Sequence, residues 1–412
     1  MADQSRFEKS TFRLEQGRAV ASGVLETASL TFLLLIAVRV HHLDSTAKGL
    51  VAAGTSFGFL LSPLVVTWVE HAGWRTARVA MAASALGMGG FLLAAACPAP
   101  WLYVPVCVAS MACWSAVVPL QTQIYQDNYP QERRGRLFSR TVMLRIATAV
   151  VFSEVAGRLL GNDLGFSRWL LLIFAGAFGV SAWCFSRMPS RPLTRTGEID
   201  PFRAMRYVVN DAVFRRTLIC WMLMGFANLM MLPLRVEYLA NPKHGLGLTV
   251  PEVAMLAGVI PNAARLFMSP VWGWLFDRMN FFLLRAVLNA GFAVGILAFF
   301  ASQDVWGLLL GAVVFGISNA GGDVAWGLWV TKISPPDRVA DYMSAHTFFT
   351  GLRGVVAPLV AFHASGVFSL SSLSWVASIM IVLASLLLIP EIRSNGSGRG
   401  RRAEAEPTGV DG

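Results

Sequence analysis

The chain has 412 residues, of which 55% are hydrophobic and only 14% are charged, and it carries a formal net charge of +10. A soluble globular protein has about 25% charged residues, so this composition excludes an ordinary soluble domain. The basic residues lie in short segments between apolar runs, which indicates membrane topology and argues against nucleic acid as a partner. The five cysteines form no Cys-x-x-Cys pair, so neither a disulfide framework nor a metal site is predicted.

Apolar runs of roughly 20 residues follow one another along the chain, and this is the length that crosses a bilayer. We predict transmembrane helices at 19–40, 47–69, 76–96, 101–125, 137–160, 169–187, 217–239, 252–276, 281–301, 305–331, 340–364 and 371–390. The first 17 residues are polar and the first apolar run is too long for a signal peptide, so we expect that run to be retained as a helix. The sequence therefore predicts an all-α membrane protein with twelve transmembrane helices.

The longest connection divides the predicted helices into two sets of six. The expected organisation is a six-helix half, a cytoplasmic linker, a second six-helix half and a basic, disordered cytoplasmic tail, at 1–187, 188–216, 217–390 and 391–412. Within the linker, Asp200 suits an N-cap and Pro201 suits the first helical position. We therefore expect a short interfacial helix between the halves.

The distribution of Lys and Arg predicts the orientation of the chain. They concentrate in the two tails and in the loops after helices 2, 4, 6, 8 and 10. The opposite side holds only Arg39, Lys48, Arg168 and Lys243. Because cytoplasmic loops carry the excess of basic residues, both termini are expected in the cytoplasm, with the chain in the inner or plasma membrane.

The two halves repeat each other at corresponding loops. Ser62-Pro63 and Glu70-His71 correspond to Ser269-Pro270 and Asp277-Arg278 at a constant offset of 207. The second-half loop reads Gly273-Trp-Leu-Phe-Asp277-Arg278, a G-x-x-x-D-R pattern. This pattern resembles the cytoplasmic loop signature of the major facilitator superfamily, although Met-Asn-Phe-Phe follows where the family has x-Gly-Arg-Arg.

The resemblance covers residues 19–390 and implies two pseudosymmetric six-helix halves with the substrate bound between them near mid-membrane. It also implies that Gly273, Asp277 and Arg278 form a gating loop. There the glycine would permit close helix approach, and the charged pair would interact with helix ends. The family's antiporter signature, a glycine-rich stretch with Gly-Pro on helix 5, is absent from 141–154, which argues against a typical drug/proton antiporter.

Seven ionisable residues lie well inside predicted helices, on the helices that the resemblance places around the cavity: Glu26, Arg145, Glu154, Arg158, Arg265, Asp323 and Arg353. A charge at the centre of a membrane helix costs about 2.5–3.5 kcal/mol, so these side chains are expected to face a polar cavity or one another. Glu154 and Arg158 are four residues apart on one helix and are expected to form a structural ion pair.

The remaining charges are the candidate functional residues. Glu26 and Asp323 are candidates for proton coupling, because a carboxylate in a partly dry cavity can load and release a proton. A permanent salt bridge of Glu26, for example to Arg145, is the alternative. Arg145, Arg265 and Arg353 outnumber the two acids, and a surplus cation suggests an anionic substrate held in a bidentate fork.

A neutral substrate site is the alternative to the anionic one. If Arg265 and Asp323 neutralise each other, a neutral polar site remains. Asparagines near mid-depth would then suit a sugar-like ligand, and the candidates are Asn228, Asn262 and Asn319. Each asparagine alone is also explained by an interhelical hydrogen bond.

The sequence therefore predicts a secondary active transporter that moves a small polar or anionic solute by alternating access, with protons as the coupling ion. The expected partners are the solute, protons and the lipid bilayer, with no cofactor, and the chain is expected to function as a monomer. A drug or metabolite efflux antiporter of the same fold is the nearest alternative, and a transport-inactive membrane sensor is a more remote one. No nucleophile–base pair or metal constellation indicates an enzyme.

Overall fold

The computed structural model describes residues 2–97, 99–193, 200, 202, 205–333 and 339–397. Within these ranges the regular structure is helical apart from one isolated bridge between Arg75 and Pro192. The helices fall into twelve segments, α1 to α12. The bundle has a terminal side, which holds the start of α1 and the end of α12, and an opposite far side.

The first six segments are continuous helices or helices with one break. They are α1 (Ala2–Thr27, a π-helical turn Ala28–Phe32, and Leu33–Arg39), α2 (Ser45–Ala52 and Gly54–Ala72), α3 (Thr76–Ala96), α4 (Pro100–Ala116 and Val118–Asn128), α5 (Gln131–Asn162) and α6 (Ser167–Arg187). The two parts of α2 are bent by 52°. The bend falls at Ala53, beside a glycine with low helix propensity.

The last six segments follow a short helix, Met205–Asn210, in the linker. They are α7 (Ala212–Ala240), α8 (Val250–Ala254, a π-helical turn Met255–Val259, and Ile260–Arg278), α9 (Phe281–Ala301), α10 (Val305–Leu328 and Val330–Ile333), α11 (Val339–Ala364) and α12 (Leu370–Leu386, with Ile389–Ser397 after it). The helix Ile389–Ser397 differs from the disordered tail expected from residue 391. Its Glu391 is held by an ion pair with Arg216 at the start of α7.

Ten helical stretches in the described part are long and apolar enough to cross a membrane, and the bent segment α2 makes eleven. The twelfth segment, α5, is 32 residues long. It carries Arg145, Glu154 and Arg158 within 18 residues, so composition alone does not identify it as a span. The twelve predicted spans thus correspond one to one with α1 to α12.

Helix α1 begins at Ala2, well before the predicted start at residue 19. The polar residues at its beginning satisfy one another. Arg18 is paired with Glu15 and donates to Ser22 (3.1 Å) and to the Tyr125 hydroxyl of α4 (2.8 Å). Because these charges are buried and paired, the polar segment continues the helix instead of forming a tail.

Contacts between helices divide the bundle into two halves. In the first half α3 packs on α6, α2 on α4, and α1 on α5 and α6. In the second half α8 and α9 pack on α10, and α7 on α11 and α12. The halves meet along α2 with α11, α5 with α8, and α1 with α7. Of the helices at this interface, α1, α5, α8 and α11 carry all of the predicted intramembrane charges except Asp323, which lies on α10.

Large apolar side chains cover the outer surface. Leu86 of α3, Trp183 of α6, Val294 of α9 and Ile379 of α12 are more than half exposed. Scattered exposure of this kind on four peripheral helices fits a surface that faces lipid instead of water.

Candidate functional site

Glu26 of α1 lies between two arginines at the interface of the halves. The Arg265 Nη1 atom of α8 donates to one Glu26 oxygen. The Arg145 Nε atom of α5 lies 2.9 Å from the other. Arg265 also donates from Nε to Asp323 Oδ2 of α10 at 2.5 Å. The structure thus brings four of the candidate residues together in one chain, Arg145–Glu26–Arg265–Asp323, which we call the central ion chain.

The central ion chain lies deep in the bundle. Glu26 is 13 residues before the end of α1 at Arg39, which is about 20 Å along the helix. Arg265 is 15 residues after the start of α8 at Val250, or about 22 Å. The Arg265 side chain is 4% exposed and Glu26 10%, whereas Arg145 is 30% and Asp323 39% exposed. The two ends of the chain are therefore open and its centre is closed.

Local helix geometry sets the position of Glu26. A Cβ atom on Gly23 would lie 2.4 Å from the Arg145 carbonyl oxygen, so α1 and α5 cross with only a glycine between them. The π-helical turn of α1 begins directly after Thr27 and contacts the π-helical turn of α8. Single π-helical turns inside α-helices are frequent at functional sites, because they change the direction of the side chains that follow.

The central ion chain contains two cations and two anions. A buried ion whose partner is removed costs several kcal/mol, so the four groups depend on one another. Glu26 and Arg265 belong to different halves, and their ion pair is a direct link between them. The sequence has three candidate arginines against two acids, but at this site two arginines face two acids. No surplus positive charge remains, since Arg265 is paired with both acids.

The described contacts do not bring the three asparagine candidates together at one point. Asn262 is buried beside Arg265, with its Oδ1 atom 3.4 Å from Arg265 Nη1. The Oδ1 atom of Asn228 on α7 is buried and accepts no hydrogen bond. Asn319 is half-buried on α10. Only Asn262 therefore has a hydrogen bond to the central ion chain among the residues that the structure describes.

Arg353 is placed differently from the other two arginines. Its Nη1 atom donates to the backbone carbonyl of Trp221 on α7, within the second half. The guanidinium lies against Gly225, where a Cβ atom would come within 2.0 Å of it. Its described contacts are therefore to α7 and not to Glu26 or Asp323.

A second group of charges joins the halves at the far side, and the sequence did not indicate it. Lys48 of α2 donates to Glu237 of α7 at 2.8 Å, and Glu237 also accepts from Asn241 (2.7 Å) and pairs with Lys243 (3.3 Å). We call Lys48 and Glu237 the far-side latch. Burial and the nearby Lys243 lower the pKa of His244 in the adjoining loop, so this histidine is neutral at pH 7.

Close helix packing accompanies the far-side latch. Cβ atoms on Gly157 and Gly161 of α5 would lie 2.4 Å from the Ala254 Cβ and 2.6 Å from Pro251 Cδ of α8. Arg39 donates to the Leu248 carbonyl at 2.6 Å across the same side. The halves are therefore in tight contact at the far side.

The gating-loop residues are only partly described. The Asp277 side chain lies outside the described residues, while the Arg278 guanidinium stacks 4.4 Å from the centre of the Trp274 ring. A side chain at Gly273 would meet nothing within 4 Å. Close helix approach, the reason expected for this glycine, is therefore absent in this conformation.

Glu154 and Arg158 lie on an exposed part of α5. The Arg158 Nε atom donates to Glu154 Oε1 at 2.5 Å, and the Arg158 side chain is 70% exposed. The two residues are therefore brought together, and they make no described contact with the central ion chain.

The second half matches a known family in sequence. Residues 238–409 match the family model described as Major Facilitator Superfamily. No curated protein matches the chain.

Solved structures match the fold of the whole chain at low sequence identity. The nucleoside transporter NupG, in a mutant form, is 12% identical with a TM-score of 0.74, covering 92% of this chain and 99% of that one. The D-xylose-proton symporter is 15% identical with a TM-score of 0.69, covering 93% and 97%. The human organic anion transporter MFSD10 is 14% identical with a TM-score of 0.68, covering 93% and 99%.

These likenesses show the fold, and they confirm the prediction of an all-α membrane protein with two six-helix halves. The three transporters are named for different solutes, so the likenesses do not identify a subfamily. The family match covers residues 238–409, less than half of the chain, and the fold of the whole chain is similar to that of these transporters.

Proposed function

We propose that this protein is a proton-coupled secondary transporter that moves a small anionic solute across the membrane by alternating access. The observation that carries the proposal is the position of Arg265, which is bound at once by Glu26 of the other half and Asp323 of its own half. Both termini would lie in the cytoplasm, as the distribution of basic residues predicts. A single chain would contain the complete path.

Charge balance supports an anionic solute together with a proton. The central ion chain holds two cations and two anions. When a proton neutralises Glu26 or Asp323, the chain is left with one uncompensated positive charge in a low-dielectric place. An anionic solute restores the balance, and the guanidinium of Arg265 or Arg145 offers it a fork of donors. Proton and anion then favour each other's binding.

The link between the halves supports coupling to alternating access. The ion pair of Glu26 with Arg265 crosses the interface, so a proton on Glu26 removes a charged link between α1 and α8. Asp323, at one end of the central ion chain, is 39% exposed, so the solute would reach the site from this end. The far side is closed by the far-side latch, so binding would begin from the terminal side in this conformation.

Thermal unfolding of the purified protein in detergent tests the solute class. Small carboxylates, organic phosphates, sugars, nucleosides and lipophilic cations are compared at two pH values. A ligand that binds only the folded state stabilises it by RT ln(1 + [L]/Kd). We expect an anion to stabilise the protein more strongly at the lower pH. Stabilisation by sugars or nucleosides alone would replace the anionic solute with a neutral polar one.

Liposomes that hold a pH-sensitive dye test the coupling. Addition of the stabilising anion should draw protons across the membrane in the wild type and in Glu154→Gln, the matched control on α5. Glu26→Gln should bind the anion without proton movement. The coupling proposal fails if Glu26→Gln and Asp323→Asn both keep accumulation driven by a pH gradient.

Two alternatives have their own outcomes in the same experiments. Stabilisation by lipophilic cations alone, with protons moving opposite to them, would indicate an efflux antiporter. Binding with no movement of either solute or protons would indicate a transport-inactive sensor.

A further inference from the structure

Three basic side chains lie buried together in the second half, away from the central ion chain. Arg285 of α9 is 1% exposed, and His346 and Arg353 of α11 are 0% and 8% exposed. The Arg285 guanidinium carbon lies 3.7 Å from the centre of the Trp221 ring, and Arg353 donates to the Trp221 carbonyl. The His346 ring is 5.5 Å from that same indole. Trp221 of α7 therefore connects the three, and we call the four residues the cationic cluster.

Most donors of the cationic cluster lack an oxygen or nitrogen acceptor, and the Cys220 thiol beside Arg285 is only a weak one. Buried nitrogen atoms with no hydrogen-bond partner are Arg285 Nε, Nη1 and Nη2, Arg353 Nε, Trp221 Nε1, and Trp329 Nε1 of the adjoining α10 ring. No aspartate or glutamate among the described residues pairs with Arg285 or Arg353. Buried polar groups are nearly always hydrogen-bonded, so a concentration of this size requires an explanation.

Two other buried arginines of the bundle have carboxylate partners: Arg265 has two and Arg18 has Glu15. Arg235 resembles Arg353, since it donates to one backbone carbonyl, that of Leu256 at 3.1 Å, and its Nε atom has no partner. Stacking on Trp221 stabilises the charge of Arg285, but a ring face leaves the in-plane N–H groups unsatisfied. Two guanidinium groups in one apolar region also repel each other. The cationic cluster is thus short of both negative charge and acceptors.

We propose that the cationic cluster binds a small oxyanion, a carboxylate or a phosphate. An oxyanion supplies negative charge and acceptors and no donors, which is what the cluster lacks. Guanidinium groups match the planar, bidentate geometry of these anions better than any other side chain. Because every member is less than a tenth exposed, the occupant is small or enters when α11 moves relative to α7.

The cationic cluster has a route to the interface of the halves. His346 also contacts the Trp326 ring of α10 at 5.5 Å, and Trp326 contacts Phe59 of α2, in the other half, at 6.2 Å. An anion at Arg353 is therefore one layer of rings behind the interface. The site is separate from the proposed transport site at Arg265, and the proposal of an oxyanion here does not depend on the charge of the transported solute.

Thermal unfolding and tryptophan fluorescence test the site in the purified full-length protein. Sodium phosphate and sodium acetate are titrated against sodium chloride at equal ionic strength. Phosphate or acetate should raise Tm saturably and change the fluorescence with the same midpoint in the wild type. The anion with the lower midpoint identifies the head group.

Variants locate the effect. Arg285→Gln and Arg353→Gln should each shift the midpoint at least tenfold, whereas Arg278→Gln, an arginine stacked on a different tryptophan, should not. If an arginine variant does not fold, Trp221→Phe keeps the ring and should lose most of the fluorescence change. Equal effects of phosphate, acetate and chloride in the wild type, or a midpoint unchanged in Arg285→Gln, would overturn the proposal.

Discussion

Arg265 is the residue on which the central ion chain depends. Its guanidinium is 4% exposed and serves two carboxylates from two helices in different halves. A point charge on a flexible stem, such as Lys, does not reproduce two directed contacts of this kind. The arginine therefore fixes the geometry of both acids and not only their charge.

Removal of this guanidinium should destabilise the protein strongly. Arg265→Gln leaves Glu26 with Arg145 alone and Asp323 with no described partner, and breaking a buried pair costs about 3–5 kcal/mol. We expect a lower Tm in Arg265→Gln and a smaller drop in Arg265→Lys, measured by thermal unfolding in detergent. The double variant Arg265→Gln/Asp323→Asn should regain part of the loss, because it removes the carboxylate that was left without a described partner. An unchanged Tm in Arg265→Gln would show that the ion chain contributes nothing to stability.

At the scale of elements, helix α5 of the first half is in close contact with the second half. Its far end contacts α8 through Gly157 and Gly161, whose missing side chains allow the two helices to touch. Its middle carries Arg145 of the central ion chain. A change in the α5–α8 contact is therefore transmitted along one rigid helix to the charges.

Substitution of Gly157 should open the far-side contact. In Gly157→Ala the new Cβ atom would lie 2.4 Å from the Ala254 Cβ, so the helices must move apart. We expect lower stability in Gly157→Ala. A cysteine introduced at position 251 should also react faster with a polar maleimide in this variant than in the wild-type background. Gly176→Ala on α6 is the matched control, because nothing lies within 4 Å of its Cβ position. It should gain about 0.5–1 kcal/mol from helix propensity. Equal labelling rates in Gly157→Ala and the wild type would contradict this account.

The positions of the helices could be predicted from the sequence much better than the contacts between them. The predicted spans 76–96 and 281–301 coincide with α3 and α9, because hydropathy depends on local sequence alone. The start of α1 was missed because its polar residues are satisfied by a tyrosine more than 100 residues away. Glu26 and Arg265 are 239 residues apart, and only the docking of the halves decides that they pair.

Two buried charges were not among the predicted intramembrane residues because they lie near helix ends. Arg285 is one turn into α9, a depth at which an arginine usually reaches the interface, but it is 1% exposed beneath Trp221. Glu237 is three residues before the end of α7, yet it is fully buried against Lys48. The position of a residue along its helix predicts exposure to lipid headgroups only where no neighbouring helix covers the helix end. Trp221 covers Arg285 and Lys48 covers Glu237, and neither contact can be predicted from the local sequence.

At the scale of the whole molecule, the described hydrogen bonds and ion pairs between the halves lie in two layers. One is the central ion chain and the other is the far-side latch with its glycine contacts. The proposed alternating access requires that the far-side layer open when the terminal side closes. The latch would therefore set part of the free-energy difference between the two conformations.

Weakening the far-side latch should shift the molecule toward a conformation open at the far side. Lys48→Met keeps the length and apolar stem of the side chain but removes the charge from Glu237, which retains Lys243 and Asn241 in its own half. Spin labels at Trp101 and Val367, exposed residues at the far ends of the two halves, report the separation. We expect a new, longer distance in Lys48→Met that is rare in the wild type. Lys243→Met is the control, because its charge faces Glu237 from the same half as the glutamate and should leave the distribution nearly unchanged. If Lys48→Met and the wild type give the same distances, the closed far side is held by helix packing alone, and Gly157 becomes the position that governs the transition.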